Sequence, residues 1–196
     1  MGSPLQLQFV TSAANIGQLP NEDVPEVAVV GRSNAGKSSL INALSNRKGL
    51  AKVSKTPGRT QLINYFTLQE KAAVVDLPGY GFANAPARVR ATWQPMIEGY
   101  LLGRSQLRMI LVLVDGEIGP TKLDVQMIEW LAAFGRPYQV IATKHDKVKS
   151  SAMTRRKKDL AEKCGLEKSD IVWVSASKNV GIDRLRGLIH QWLEIN

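Results

Sequence analysis

The sequence predicts an α/β fold, a mostly parallel central sheet with helices on both faces. Three observations carry that expectation. Short β-branched and aliphatic runs alternate with helix-period segments along the chain. One run, Met109–Val114, is apolar without interruption, the pattern of a strand covered on both sides. A glycine-rich turn, Gly31–Ser38, joins a strand-like run to a helix-like one. A chain of 196 residues suits one compact unit. Residues 1–24 read as an N-terminal extension and 25–196 as a single domain.

The extension offers an edge strand at Leu5–Val10. Val27–Val30 is the first buried strand, and Ser38–Ser45 a helix with Leu40, Ile41 and Leu44 on one side. From 46 to 60 the chain is basic and turn-rich, broken most clearly at Pro57-Gly58. Ile63–Leu68 and Ala72–Val75 form two strands around a polar turn at Gln69–Lys71. A Gly- and Pro-rich loop, Leu77–Pro86, leads to a helix at Thr92–Leu101. Leu123–Phe134 is amphipathic, with Met127, Ile128, Leu131 and Phe134 on one stripe. Strands at Tyr138–Ala142 and Ile171–Val174 flank a charged helix near Ala152–Lys163. Ile182–Leu193 closes the chain as a helix that packs Leu185, Leu188, Ile189 and Trp192 inward.

Lys and Arg number 26 against 17 Asp and Glu, a formal net charge of +9. That balance favours a polyanionic partner, nucleic acid before acidic membrane. Cys164 is the only cysteine, which excludes an intrachain disulfide framework and a Cys-rich zinc site. His145 and His190 have no neighbours in sequence that suggest metal or nucleophilic chemistry. No apolar run approaches the roughly 20 residues needed to cross a bilayer. The start of the chain carries neither a secretory leader nor a myristoylation signal, since Gln6 stands where Ser or Thr is wanted. The expectation is a cytoplasmic monomer.

Gly31-Arg32-Ser33-Asn34-Ala35-Gly36-Lys37-Ser38 matches G-x-x-x-x-G-K-[ST] in full. Its glycines let the loop close so that backbone N–H groups point at phosphates, and the positive end of the next helix faces the same anion. Lys37 reaches the β- and γ-phosphates, and Ser38 ligates Mg²⁺. The motif alone leaves kinase, ATPase and GTPase open.

Downstream segments narrow the choice. Asp76-Leu77-Pro78-Gly79 follows an apolar strand; Asp76 there holds the Mg²⁺ water shell, and the Gly79 N–H touches the γ-phosphate. Thr143-Lys144-His145-Asp146 has the form [NT]-K-x-D. The Asp146 carboxylate accepts from guanine N1–H and its exocyclic amino group, donors that adenine lacks on that edge. Lys144 lays its stem along the base plane. Val174-Ser175-Ala176 ends the last strand with small residues, bringing backbone N–H groups near guanine O6. Thr60, in the basic loop with Lys55 and Thr56, is chosen as the threonine that orders on Mg²⁺ when the γ-phosphate is present. Together these motifs imply a guanine-nucleotide switch.

On Gly31–Ser38, Lys55–Gln61, Asp76–Gly81 and Thr143–Asp146, with Phe9-Val10-x-Ser12 near the start, the chain resembles the EngB/YihA/YsxC family of bacterial ribosome-assembly GTPases. The resemblance implies a P-loop GTPase (G domain) that binds GTP and Mg²⁺, with Ser38 and Thr60 as protein ligands, and that associates with the large (50S) subunit. Lys37, Thr60 and Gly79 are the expected catalytic groups. Gly58, Arg59, Gln61 and Leu62 join the expected nucleotide contacts. His145, where alanine is common, and Ala176, where serine is common, depart from the pattern. Tyr80 stands where many GTPases carry the glutamine that orients water, so slow hydrolysis is expected without a partner or an ion. Asn34 resembles an asparagine that helps hold K⁺ in related GTPases.

The positive charge is clustered. Residues 46–69 contain Arg47, Lys48, Lys52, Lys55 and Arg59 and no acidic residue. A second cluster on the predicted charged helix includes Arg155, Arg156, Lys157 and Lys158. Ribosomal RNA is the expected counterpart. The alternative is a GTP switch that docks on a protein or an acidic membrane surface, as in cell division or septation, without RNA contact. Trp93, Trp130, Trp173 and Trp192 are expected in the core rather than as base-stacking platforms.

Overall fold

The computed structural model describes residues 2–21, 23–52, 62–80 and 87–195, and for residues 87–94 the backbone alone. Lys55, Thr56, Gly58, Arg59, Thr60, Gln61 and Gly81 lie outside the described residues, as does the side chain of Trp93. The elements, in chain order, are β1 (Leu7–Ala13), β2 (Glu26–Gly31), α1 (Lys37–Ser45), β3 (Ile63–Leu68), β4 (Ala72–Asp76) and α2 (Ala87–Gly103). They continue as β5 (Leu107–Asp115), α3 (Lys122–Ala133), β6 (Tyr138–Thr143), α4 (Met153–Cys164), β7 (Ile171–Trp173) and α5 (Ile182–Trp192).

The strands form one sheet in the order β1-β3-β4-β2-β5-β6-β7. β2, β4, β5, β6 and β7 pair in parallel, whereas β3 is antiparallel to both of its neighbours. Strand order reverses at β2, so the crevice beyond its carboxyl end is the place where such a sheet takes a ligand. Alternation along β2 divides the interior. Ala28 and Val30 face a cluster with Ile97 and Tyr100 of α2, Ile128 of α3 and Leu160 of α4. Val27 and Val29 face Leu40 and Ile41 of α1 and Leu185 and Ile189 of α5. Both faces are covered, which is why the central stretches of the parallel strands are apolar.

Three boundaries differ from the sequence reading. The edge strand is Leu7–Ala13 rather than Leu5–Val10, with a register shift between Phe9 and Thr11 that breaks its alternation. Leu5, which precedes the strand, is buried and donates its N–H to Leu44 O at 3.0 Å. α2 begins at Ala87, five residues before Thr92, and carries Pro95 inside it. Phe134 sits at the C-cap of α3 and is 55% exposed, because the helix ends before its stripe reaches that position. It rests on Trp130, ring centroids 4.9 Å apart. Trp130, Trp173 and Trp192 pack against the core clusters, as expected.

Two buried arginines close the frame. Arg186 donates to Leu44 O at 2.9 Å and Ala43 O at 2.7 Å, adding to the bonds these carbonyls at the end of α1 accept from Leu5 N and Asn46 N. Arg104 forms a salt bridge to Glu26 at 2.7 Å, and Tyr100 Oη donates to the same carboxylate at 2.6 Å.

Cys164 is buried beneath α4, and that burial pushes its thiol up to about 11. The folded state therefore holds this proton where the unfolded chain, near the ordinary 9.0, releases it. The stability of the wild type relative to Cys164→Ala should be flat below pH 9 and fall as the pH approaches 11, as followed by thermal denaturation. Alkylation of the native thiol at pH 8 should be slow beside that of the denatured chain.

Candidate nucleotide site

The carboxyl ends of β2, β4, β5, β6 and β7 bring the motif segments to one edge of the sheet. Between β2 and α1 the chain turns through Gly36, whose φ of +98° suits glycine. α1 then begins at Lys37, so the unpaired N–H groups of its first turn open onto the loop. Asn34, exposed at the loop tip, has a φ of +67° that asparagine tolerates better than most residues. From β6, Thr143 Oγ1 donates to Ala35 O at 2.7 Å and ties the base-side strand to the phosphate loop.

Lys37 Nζ lies 3.5 Å from Gly31 O. Burial lowers the Lys37 ammonium below its ordinary range, and the Asp76 carboxylate draws it partly back. Burial likewise raises Asp76, against the opposing pull of Lys37 and of a hydrogen bond from the Asn64 side chain. Asp76 is 3% exposed, and its Oδ1 has no hydrogen-bond partner among the described residues. A half-buried cation and a buried carboxylate oxygen with spare capacity suit a phosphate on one side and a hydrated divalent cation on the other. The residues present therefore fit Mg²⁺, with Ser38 on α1 as a direct ligand and Asp76 acting through water. Lys37→Met should weaken GDP binding by about 100-fold, the loss expected for a charged hydrogen bond, in titrations with a fluorescent GDP.

Beyond Asp76, the backbone runs through Leu77 and Pro78 to Gly79, where a Cβ would stand 3.1 Å from both Lys37 Nζ and Ser33 N. A side chain there would press on the phosphate loop by a few tenths of an ångström. Tyr80 N donates to Gly31 O and Ser33 N to Tyr80 O, each at 3.3 Å, so this segment zips onto the phosphate loop. The Tyr80 hydroxyl donates to Asp124 Oδ1 at 3.0 Å. Asp124, fully buried on α3, also pairs with Arg32 Nε at 3.2 Å and accepts from Thr121 N and Oγ1, both at 2.8 Å. Arg32, expected among the nucleotide contacts, has its Nε on Asp124, so that its place in the phosphate loop offers the backbone N–H. The phenol that replaces the usual glutamine is likewise occupied, and burial raises it well above its ordinary range. It is a donor to Asp124, not a base.

At the other end, Asp146 is exposed and oriented by hydroxyls: Ser175 Oγ donates to Oδ1 at 2.6 Å and Ser177 Oγ to Oδ2 at 2.9 Å. These bonds, Ser175 first, lower its carboxyl below the ordinary range and keep it ionised. Each oxygen retains a lone pair for a base donor. Lys144 takes a left-handed φ of +56° and its ammonium meets Asp115 Oδ2 at 2.5 Å, which ties the start of the base-side loop to the end of β5. His145 N donates to Val174 O at 3.1 Å, joining the two base-side loops. Of the backbone donors expected for guanine O6, Val174 N is bonded to Ala142 O and Ser175 N to Val180 O. That leaves the Ala176 N–H for the contact.

Leu62 lies exposed at the entrance to β3. Sequence reasoning missed Asn64, Asp115, Asp124 and Ser177. Only Ser177 had a local signal, a second hydroxyl two residues after Ser175. The expected RNA-contact residues are changed by their neighbours. Arg47 Nη1 donates to Leu7 O at 3.0 Å, a structural tie. Lys48 and Lys52 are exposed. On α4, Arg155 pairs with Asp159 and Lys158 with Glu162, both at 3.6 Å, and Lys157 Nζ sits 5.9 Å over the Trp173 ring. Arg156 is half-buried.

Residues 26–144 match the model of a family described as 50S ribosome-binding GTPase. Similar proteins include a probable GTP-binding protein EngB of Pelotomaculum thermopropionicum, 45% identical over 190 residues and covering 96% of each chain. Another of that description, from Clostridium perfringens, is 46% identical over 179 residues, covering 91% of each chain. A crystal structure of a probable GTP-binding protein engB superposes with a TM-score of 0.70 at 26% identity, covering 86% of this chain and 98% of that one. The fold is shared with Era, solved with MgGDPNP and nucleotides 1506–1542 of 16S ribosomal RNA, at a TM-score of 0.68 and 23% identity over 86% of this chain and 56% of that one. With a phosphate loop, a half-buried Lys37 near the buried Asp76 and a hydroxyl-held Asp146 along one sheet edge, the chain belongs to the EngB family of P-loop GTP-binding proteins.

Proposed function

We propose that this protein is a Mg²⁺-dependent GTP switch with slow intrinsic hydrolysis that acts in the cytoplasm during assembly of the large ribosomal subunit. The observation that carries the reading is the span of the site. Lys37 and Asp76 accommodate a phosphate and its metal at one end, while Asp146, held by Ser175 and Ser177, selects guanine at the other. Ser38 and Thr60 are the direct ligands of the metal. Lys37 and the Gly79 N–H stabilise charge on the γ-phosphate, and release of that phosphate frees Gly79 and the Thr60 loop. Hydrolysis is slow because the Tyr80 phenol is tied to Asp124 and orients no water. Asn34 at the loop tip supports a role for K⁺, which equal turnover in KCl and NaCl would exclude.

The family description and the excess of basic residues support an RNA partner. Exposed Lys48 and Lys52, which precede Thr60 in the basic stretch of the sequence, favour phosphate contacts that respond to nucleotide. The test is sedimentation of the protein with precursor large subunits in GDP, in a non-hydrolysable GTP analogue and in ATP, over a range of salt. Binding that strengthens with the GTP analogue and falls steeply with salt supports the reading. Binding indifferent to nucleotide removes the switch, and binding to anionic vesicles in place of ribosomal particles favours the membrane alternative.

A further inference from the structure

Ser12, Asn64 and Asp76 form a row across three strands. Ser12 of β1 is the register partner of Asn64 in β3, and Asn64 is the register partner of Asp76 in β4. Cross-strand partners present their side chains on one face of a sheet. Ser12 Oγ donates to Asn64 Oδ1 at 2.7 Å. A carboxamide carries its acceptor and its donors on opposite corners. With the oxygen claimed by Ser12, the Asn64 NH₂ group is the part left to face Asp76 across the register, where it favours the ionised carboxylate against the upward push of burial. On its other side Asp76 is registered with Val29 of β2, which offers no polar side chain. Asn64 thus supplies the carboxylate's cross-strand support, while the buried Oδ1 of Asp76 has no partner among the described residues. A buried carboxylate satisfied on one side only is the state expected of a group completed by a ligand.

We propose that Asn64 and Ser12 are positioning residues for Asp76: the Ser12 hydroxyl sets the Asn64 amide, which holds the carboxylate with one oxygen directed at the water shell of Mg²⁺. The inference rests on the reading of Asp76 as the metal-side carboxylate. It also gives the first strand of the chain, which lies outside the residues matched by the family model, a part in the nucleotide site. An exposed hydroxyl acts here through a half-buried amide on a buried acid.

The experiment follows release of a fluorescent GDP as Mg²⁺ is titrated, for the wild type, Ser12→Ala, Ser12→Thr and Asn64→Ala, with GDP affinity and thermal stability measured in EDTA. Ser12 is exposed, so its variants should fold. The Mg²⁺ midpoint should rise about tenfold in Asn64→Ala and roughly threefold in Ser12→Ala, from loss of a charged and of a neutral hydrogen bond. Ser12→Thr, which keeps the hydroxyl, should keep the wild-type midpoint, and all values in EDTA should stay unchanged. Wild-type release insensitive to Mg²⁺ would sink the metal reading itself. A Mg²⁺-sensitive wild type with a wild-type midpoint in either alanine variant overturns the positioning row, as does a shift matched by equal weakening in EDTA.

Discussion

Asp146→Asn should lose about 100- to 1,000-fold in affinity for GTP and GDP, while its affinity for the xanthine nucleotides rises. The physical reason is a single exchange of acceptor for donor. In the wild type both carboxylate oxygens accept, and guanine presents two donors to them. Asparagine keeps one acceptor, for N1–H, but turns an NH₂ group towards the exocyclic amino group of guanine, so two donors meet and both go unsatisfied. A buried donor without a partner costs about 1–3 kcal/mol, and here there are two. Xanthine has a carbonyl at that position and accepts from the new amide. The fold should survive, because Ser175 and Ser177, now bonded to the two oxygens at 2.6 and 2.9 Å, can rotate their hydroxyls to accept. Competition titrations with GDP, XDP and ADP against a fluorescent nucleotide measure the change. An asparagine variant that binds GDP within threefold of the wild type would remove Asp146 from the base site.

Arg104→Met should destabilise the fold by about 3–5 kcal/mol, the cost of leaving a buried charge uncompensated, and lower the melting temperature by roughly 10 °C in a chain of this length. Glu26 is fully buried and is neutralised by Arg104, just past the end of α2, through Nη2 at 2.7 Å, with Tyr100 Oη at 2.6 Å completing its hydrogen bonds. Removing the guanidinium leaves the carboxylate with the phenol alone, and also releases Pro20 O, which Arg104 holds at 2.7 Å. The double variant Glu26→Leu/Arg104→Met should recover most of the loss, since an apolar pair of similar volume replaces a buried ion pair at little cost. Equal destabilisation of the single and double variants would show that packing rather than charge is at stake. GDP affinity should hold within twofold in both, because Glu26 begins β2 and the phosphate loop leaves its other end.

These two sites differ in how much of them the sequence shows. Asp146 is legible because the chemistry needs Thr143, Lys144 and Asp146 in consecutive register at a strand end, and the phosphate loop is legible for the same reason. The Glu26–Arg104 pair is not: its members stand 78 residues apart, and nothing local distinguishes Arg104 from the exposed arginines. β1 shows the middle case. Its apolar residues announce a strand, but the register shift after Phe9 and the burial of Leu5 beside α1 are set by β3 and Leu44, so the boundary moves. Arg47 reads as a surface cation and proves to be tied to the backbone of β1. The pairs on α4 follow helical spacing and could have been anticipated.

By itself the sequence determined the alternation of strands and helices, the glycine-rich strand-to-helix loop and the place of Asp146 just beyond a strand, since each depends on neighbours within a few residues. Only the tertiary structure decided that Ser12, Asn64 and Asp76 stand in one cross-strand row, that Tyr80 is tied to Asp124, and that Ser177 joins Ser175 on Asp146. Those contacts depend on strand register and helix placement, and register is fixed by burial of the whole sheet rather than by any one segment.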